Sequence, residues 1–221
     1  MSIAINLVGS SHLRGGKNGH HLIESLNERY QSMDESFKSR YYPGDVAAIS
    51  GGRLFNIENI ESFLEIAKVG VQNAVFSGQV IVIMLGTNDF SDPTVTEAEF
   101  GKRYRDFVDE FLKLPYTGVF LTGLVPREED PTRPNKRTNM TVGTQIIREL
   151  AASYTKAGKS VRFIPVDKKI GQKKEGVMCP FAGALDDKVH MSKESAVKVA
   201  DQILNHIRCL PKDWFPDYSN F

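Results

Sequence analysis

Five short apolar runs rich in β-branched residues recur along the chain, with helix-like stretches between them. This alternation limits the fold more than any other feature. The runs are Ile3–Val8, Val46–Ile49, Val80–Leu85, Val119–Leu124 and Val161–Val166. They are continuous rather than alternating, as strands buried on both faces of a parallel sheet are. Between two of them, Ile60, Phe63, Leu64, Ala67 and Val71 form one apolar stripe over Ile57–Val71. Phe100, Tyr104, Phe107, Val108, Phe111 and Leu112 form another, and Thr96 with Glu99 offers a capping box at its start. Val142–Ala157 and Ser192–Ile207 complete the set, with Ser192 as the N-cap of the last helix. Strands alternating with helices mean βαβ units with right-handed crossovers. The expected fold is α/β: a three-layer α/β/α sandwich around a central, mostly parallel sheet of about five strands.

A chain of 221 residues suits one such domain better than two. It is expected over residues 1–209, followed by a tail, 210–221, whose Trp214, Phe215, Tyr218 and Phe221 pack back on the body. The longest irregular pieces are Val125–Arg137 and Asp167–Val189, and long loops in a compact domain often lie near function. A net charge of +1 gives no strong nucleic-acid signal. Two basic clusters, Arg133/Lys136/Arg137 and Lys168/Lys169/Lys173/Lys174, lie in polar sequence and read as solvated faces. Cys179 and Cys209 show no metal-ligand spacing and are expected as reduced thiols. No apolar stretch approaches the ~18 residues of a membrane span. No basic region precedes the first apolar run, so a cytoplasmic location is expected. The oligomeric state is left open.

In an open parallel sheet, ligands bind beyond the carboxyl ends of the strands. The residues there are Gly9-Ser10-Ser11-His12, Ser50-Gly51-Gly52-Arg53 and Gly86-Thr87-Asn88-Asp89, with Asp186–Ser192 leading into the last helix. Taken singly, each has an ordinary explanation. Gly-Ser after a strand makes a tight turn, Thr-Asn-Asp is common turn chemistry, and His190 could be a packed histidine. Together they bring a nucleophile, a base with an acid three residues before it, and separate hydrogen-bond donors to one rim.

These four blocks resemble those of the SGNH hydrolases, the GDSL-type esterase and lipase superfamily. The matches are Gly9-Ser10-Ser11, Ser50-Gly51, Gly86-Thr87-Asn88-Asp89 and Asp187-Lys188-Val189-His190, in the family's order from Gly9 to His190. The resemblance implies the flavodoxin-like SGNH fold and a serine esterase acting on carboxylic esters, expected to be short-chain acyl or acetyl esters, through an acyl-enzyme. By it, Ser11 is the nucleophile, His190 the base and Asp187 the acid that orients it. The Ser11 and Gly51 backbone N–H groups and the Asn88 amide form the oxyanion hole. Gly51 is expected to need glycine because substrate approaches closely. One departure stands out: Ser10 replaces the family's usual aspartate before the nucleophile, and His12 after it is unusual. No cofactor or metal is implied, and the partner is a small-molecule ester.

Other readings compete. A flavodoxin-like flavin site would leave Asp187 and His190 unexplained, and Gly9–Gly16 does not spell G-x-G-x-x-G. A metal site from His12, His20, His21 and His190 lacks a compact ligand motif. The alternative function is a catalytically weak SGNH-like binding or interaction module. The G-S-S-H turn is similar to that of esterase-like domains encoded by some eukaryotic mobile elements. Arg14 and Arg53 each follow a block closely enough to bias the site toward anionic substrates, with pairing to a surface acid as the competing reading.

Overall fold

Gly9 at the end of the first strand pairs with Ala48 on one side and Met84 on the other, so three parallel strands end level with one another. The structure is a computed structural model and describes residues 2–14, 21–48, 50–54, 61, 76–92, 94–128, 136–210 and 214–215. In chain order the strands of the main sheet are β1 (Ser2–Gly9), β2 (Tyr41–Ala48), β3 (Phe76–Met84), β4 (Thr117–Thr122) and β5 (Val161–Ile164). They form one parallel sheet in the order β2-β1-β3-β4-β5. Among the described residues the helices are α1 (Ser11–Arg14), α2 (His21–Gln31), α3 (Glu35–Arg40), α4 (Glu97–Leu112), α5 (Lys136–Lys156), α6 (Asp167–Ile170) and α7 (Lys193–Arg208).

Alternation along the strands builds the three layers. Ile3, Ile5 and Leu7 of β1 and Val80, Val82 and Met84 of β3 share one core with Leu26 of α2, Phe37 of α3 and Ile203 of α7. Val8, Ile81, Ile83 and Leu121 face the other way, against Phe107 of α4 and Ile147 of α5. Thr96 caps α4 by accepting the Glu99 N–H at 3.2 Å, and Ser192 caps α7. The expected sandwich is the observed one.

A buried polar row crosses the sheet through these apolar layers. Asn6 Nδ2 donates to Gln79 Oε1 (2.9 Å), and Gln79 Nε2 donates to Thr117 Oγ1 (3.0 Å). On the other side Asn6 Oδ1 accepts the Asp45 N–H at 2.9 Å, where the β1–β2 register shifts between Ile5 and Leu7. Here β2 departs from expectation. It begins at Tyr41 rather than Val46 and runs through Pro43 and Gly44. As an edge strand it tolerates a proline. A Cβ on Gly44 would lie 2.1 Å from Asn6 Oδ1, so glycine makes room for the side chain that stands in for the ladder.

Three other boundaries differ from the sequence reading. Asp167–Val189 is not irregular throughout, because it holds α6 and an antiparallel hairpin, β6 (Gly171–Lys174) and β7 (Val177–Pro180). Glu175 and Gly176, both with positive φ, make its two-residue turn. Helix α5 starts at Lys136, six residues before its apolar stripe, and α2 and α3 precede β2. Apart from Glu61, the helix expected over Ile57–Val71 lies outside the described residues. Lys168, Lys169, Lys173 and Lys174 are exposed. No described helix is long and apolar enough to cross a membrane.

From the tail, Phe215 is buried in the first core and Trp214 lies against Phe120, with ring centroids 5.6 Å apart. Two strand glycines admit them. A Cβ on Gly118 would sit 2.5 Å from Trp214 Cε3, and one on Gly78 would sit 2.5 Å from Phe215 Cδ1. Gly118→Ala should therefore overpack this contact and destabilise the fold by ~1–3 kcal/mol. Trp214 is the sole tryptophan, so its emission reports the contact directly. Urea unfolding followed by fluorescence should show a lower midpoint and a red-shifted native spectrum. An unchanged midpoint and spectrum would refute this account of the tail.

Candidate active site

The turn that carries Ser11 depends on a missing side chain. A Cβ on Gly9 would lie 2.5 Å from Leu13 Cδ1 and 3.0 Å from the Met84 carbonyl. Without it, the chain turns straight from β1 into α1, closed by the Leu13 N–H on the Ser10 carbonyl at 3.0 Å. Ser11, at the start of α1, is half-buried, and among the described residues its side chain makes no hydrogen bond. Its neighbours in sequence, Ser10 and His12, are buried, 1% and 4% exposed. The His12 ring centroid is 5.6 Å from that of His190, which brings the end of β1 to the loop before α7.

That loop is closed by a bridge between Leu185 and Met191, with the Asp186 N–H on the His190 carbonyl at 2.9 Å. Lys188 takes a left-handed conformation, φ +67°, and the chain curls back on itself. Asp187 Oδ1 thereby accepts the N–H groups of Val189 (3.1 Å) and His190 (2.7 Å). Its Oδ2 meets His190 Nδ1 at 2.7 Å. Burial pulls the Asp187 carboxyl upward, but the His190 N–H and ring and the Val189 N–H outweigh it and hold it below its ordinary value. The carboxylate is charged, and the ring is oriented with Nε2 facing away from it.

Asp186 lies 3.3 Å from His21 Nε2 at the start of α2. Adjacent acids thus serve different histidines. Of the imagined four-histidine metal set, His12 is buried near His190, His21 meets Asp186, His190 meets Asp187, and His20 lies outside the described residues; among the described residues no cluster of three or more possible ligands forms.

Across the rim, the second and third blocks are joined by two hydrogen bonds. Asn88 Nδ2 donates to the Gly52 carbonyl at 3.2 Å, and Asp89 Oδ1 accepts the Leu54 N–H at 2.8 Å. The same Asn88 nitrogen carries a second N–H. Gly51 is exposed with φ +73°, and a Cβ there would meet nothing within 4 Å. The positive φ is a backbone reason for glycine here, separate from the close approach of substrate expected from sequence. Arg53 pairs with Asp92 at 3.2 Å, the ordinary alternative to a substrate role, and the Arg14 side chain lies outside the described residues.

Two residues here escaped the sequence reading. Asp89 was taken as turn chemistry, yet it is fully buried and staples the Gly51 turn to the Asn88 turn. Arg127, just past β4, is buried at 7% exposed, and the adjoining Glu128 N–H donates to the Lys188 carbonyl at 3.2 Å. Reading the residues after the fourth strand, as was done for the first three, would have found it.

Burial pushes the Asp89 carboxyl up to about 6, against the opposing pull of the Leu54 N–H and the charges of Arg53 and Arg103. The folded protein therefore holds a proton that the unfolded chain releases between about pH 4 and 6. This contribution to stability is complete below the unfolded value and is lost as pH rises through the folded one. The displacement from 3.8 to about 6 corresponds to on the order of 3 kcal/mol. Asp89→Asn removes it while keeping an acceptor for Leu54. Thermal melts should show the variant gaining on the parent as pH rises from 4.5 to 7.5, whereas a pH-independent difference would refute the assignment.

The family model of GDSL-like lipases/acylhydrolases matches residues 5–203. No curated protein matches the chain. Solved structures share the fold at low identity. An acetyl esterase mutant with an acetate ion superposes with a TM-score of 0.66 at 16% identity, covering 96% of this chain and 99% of that one. A lipase/acylhydrolase from Enterococcus faecalis gives 0.65 at 17%, covering 94% and 96%. An acetylxylan esterase from Geobacillus stearothermophilus, solved as a catalytic mutant, gives 0.62 at 15%, covering 97% of each chain. The family match runs from within β1 into α7 and takes in all four blocks, and the chain belongs to the GDSL-like lipase/acylhydrolase family of SGNH hydrolases.

Proposed function

We propose that this protein is a serine esterase that hydrolyses short-chain carboxylic esters, acetyl esters first among them, through an acyl-enzyme. The observation that carries the reading is the Asp187–His190 pair, hydrogen-bonded at 2.7 Å by a loop that docks beside the Ser11 turn. The acetyl esterase and acetylxylan esterase of the same fold make acetyl esters the first substrates to test.

In the proposed mechanism His190 Nε2 removes the Ser11 proton as Oγ attacks the acyl carbonyl, and it then protonates the departing alkoxide. Asp187 holds the proton on Nδ1 and stabilises the imidazolium formed between these steps. The backbone N–H groups of Ser11 and Gly51 and the second N–H of Asn88 Nδ2 receive the oxyanion. Water then repeats the sequence on the acyl-enzyme. In this mechanism the Ser11–His190 hydrogen bond forms when substrate arrives, as catalytic hydrogen bonds often do.

Turnover of 4-nitrophenyl acetate should vanish in Ser11→Ala and fall ~10²–10³-fold in Asn88→Ala through the loss of one oxyanion donor. Asp187→Asn should cost at least ~10-fold, with ~10⁴ as the upper bound for losing the orienting acid. Asp186→Asn, whose carboxylate serves His21, should stay within a few-fold of the parent. Parent activity should decline on acidification, because a protonated imidazole accepts nothing from Ser11. Full activity in Ser11→Ala, or a collapse in Asp186→Asn with Asp187→Asn untouched, would overturn the assignment.

A further inference from the structure

A cavity of about 570 Å³ lies between α5, α6 and the β6–β7 hairpin, and none of the residues proposed for catalysis lines it. Its volume is that of a small-molecule site. Asp167, which follows β5, places it at the carboxyl-end edge of the sheet, where open α/β folds take ligands. At its wall the Met178 N–H donates to Thr141 Oγ1 at 2.8 Å and fastens β7 to α5.

Two charged groups of this cavity are held without being hydrogen-bonded to each other. Asp167 is 1% exposed, and its Oδ1 has no hydrogen-bond partner among the described residues. A Cβ on Gly123 would lie 2.5 Å from that oxygen, so the carboxyl group is seated on the backbone just past β4. Arg148 Nη2 stands 3.9 Å from Asp167 Oδ2, beyond hydrogen-bond range. Its guanidinium lies over the Phe163 ring, 5.0 Å from the centroid. Neither contact is a hydrogen bond, and among the described residues the Arg148 N–H groups donate none. Burial pushes the Asp167 carboxyl up, and the Arg148 charge pulls it back. A ring and a buried acid thus fix the guanidinium in place and leave its fork of donors to a ligand. Lys168 and Lys173, both exposed, line the same cavity and bring its cations to three against one acid. Val142 and Met178 add apolar surface.

We propose that this cavity binds a small organic anion whose carboxylate or phosphate group is taken by Arg148. The guanidinium offers that head group two parallel N–H bonds. Lys168 and Lys173 neutralise the remaining charge, and the organic body lies against Val142 and Met178. The site stands or falls independently of Ser11 as a nucleophile.

The test is calorimetric titration of the full chain with phenyl phosphate, benzoate and, as the uncharged counterpart, benzyl alcohol. At low salt at least one anion should bind with Kd below about 1 mM, and benzyl alcohol at least ~10-fold more weakly. The tighter anion identifies the head group as phosphate or carboxylate. Arg148→Gln should weaken anion binding at least ~10-fold, and Arg148→Lys less, because lysine keeps the charge without the fork. Gln172→Glu, on the exposed hairpin, puts a negative charge at the cavity and should also weaken binding. Trp214 emission checks that each variant is folded, and if Arg148→Gln is not, Gln172→Glu decides. No binding at about 10 mM anion, or equal binding of benzyl alcohol, would overturn the proposal. So would anion affinity unchanged in Arg148→Gln and Gln172→Glu. Binding lost only in Asn88→Ala would move the anion to the rim and overturn it as well.

Discussion

Register is the constraint on which the remaining structure rests, and the polar row from Asp45 through Asn6 and Gln79 to Thr117 helps to hold it. In a parallel sheet with both faces covered by apolar side chains, a slipped strand still finds apolar partners. A one-residue slip would also turn every side chain to the opposite face. Amide and hydroxyl groups are less tolerant, because a slip leaves each of them buried and unsatisfied. Asn6, Gln79 and Thr117 are all buried and joined at 2.9 and 3.0 Å. They tie β1 to β3 and β3 to β4, and Asn6 also takes the Asp45 N–H of β2. With these strands in register, Gly9 is level with Ala48 and Met84. The Ser11, Gly51 and Asn88 turns then follow at one edge. The chemistry proposed for this rim rests on a hydrogen-bonded row that lies several residues back along the strands.

The internal geometry of the fourth block is set locally, although the Glu128–Lys188 hydrogen bond ties it to the segment after β4. The loop from Leu185 to Met191 folds on itself, and its geometry follows from local rules. A short acidic side chain captures the two backbone N–H groups that follow it, and Lys188 accepts a left-handed conformation to let it do so. His190 is then presented from a pre-formed turn, anchored at one end by the Ser192 cap of α7. Adjacent acids separate because consecutive side chains in this turn face different neighbours, Asp186 toward α2 and Asp187 toward the imidazole.

Such a division explains what was legible in the sequence. Strand positions could be read because continuous β-branched runs mean burial on both faces, and four of the five runs begin within four residues of the observed strands. The exception, β2, starts with Tyr41, Tyr42, Pro43 and Gly44, where an edge position and the Asn6 side chain override local propensity. The β6–β7 hairpin could not be read from apolar alternation, because Gly171–Lys174 has none and only Glu175-Gly176 marks its turn. In the candidate site, Asp187 and His190 were legible because their contact is local. Asp89 and Arg127 were not, since their roles depend on burial created by distant segments. An aspartate after an asparagine reads as a turn until Leu54, far along the chain, donates to it.

Three residues around the nucleophile and the Asn88 turn share a property that bears on how such a site is built. Ser10, His12 and Asp89 all carry buried polar atoms without partners among the described residues, and all lie within two residues of a proposed catalytic group. Such atoms are not confined to this rim, since Ser25 Oγ, Tyr41 Oη, Tyr104 Oη and Asp167 Oδ1 also lack hydrogen-bond partners among the described residues. The Asn6 row, by contrast, is joined throughout. Unsatisfied groups in a stable fold are retained where something other than stability is gained. At Asp89 the gain is a rigid spacing between two turns, because one oxygen is committed to Leu54 and the other is left over. At Ser10 and His12 no side-chain hydrogen bond is gained among the described residues. Stability alone would replace such residues with apolar ones of similar volume. Both flank Ser11, so the turn on which the proposed mechanism depends is also one where polar side chains are held without hydrogen-bond partners among the described residues.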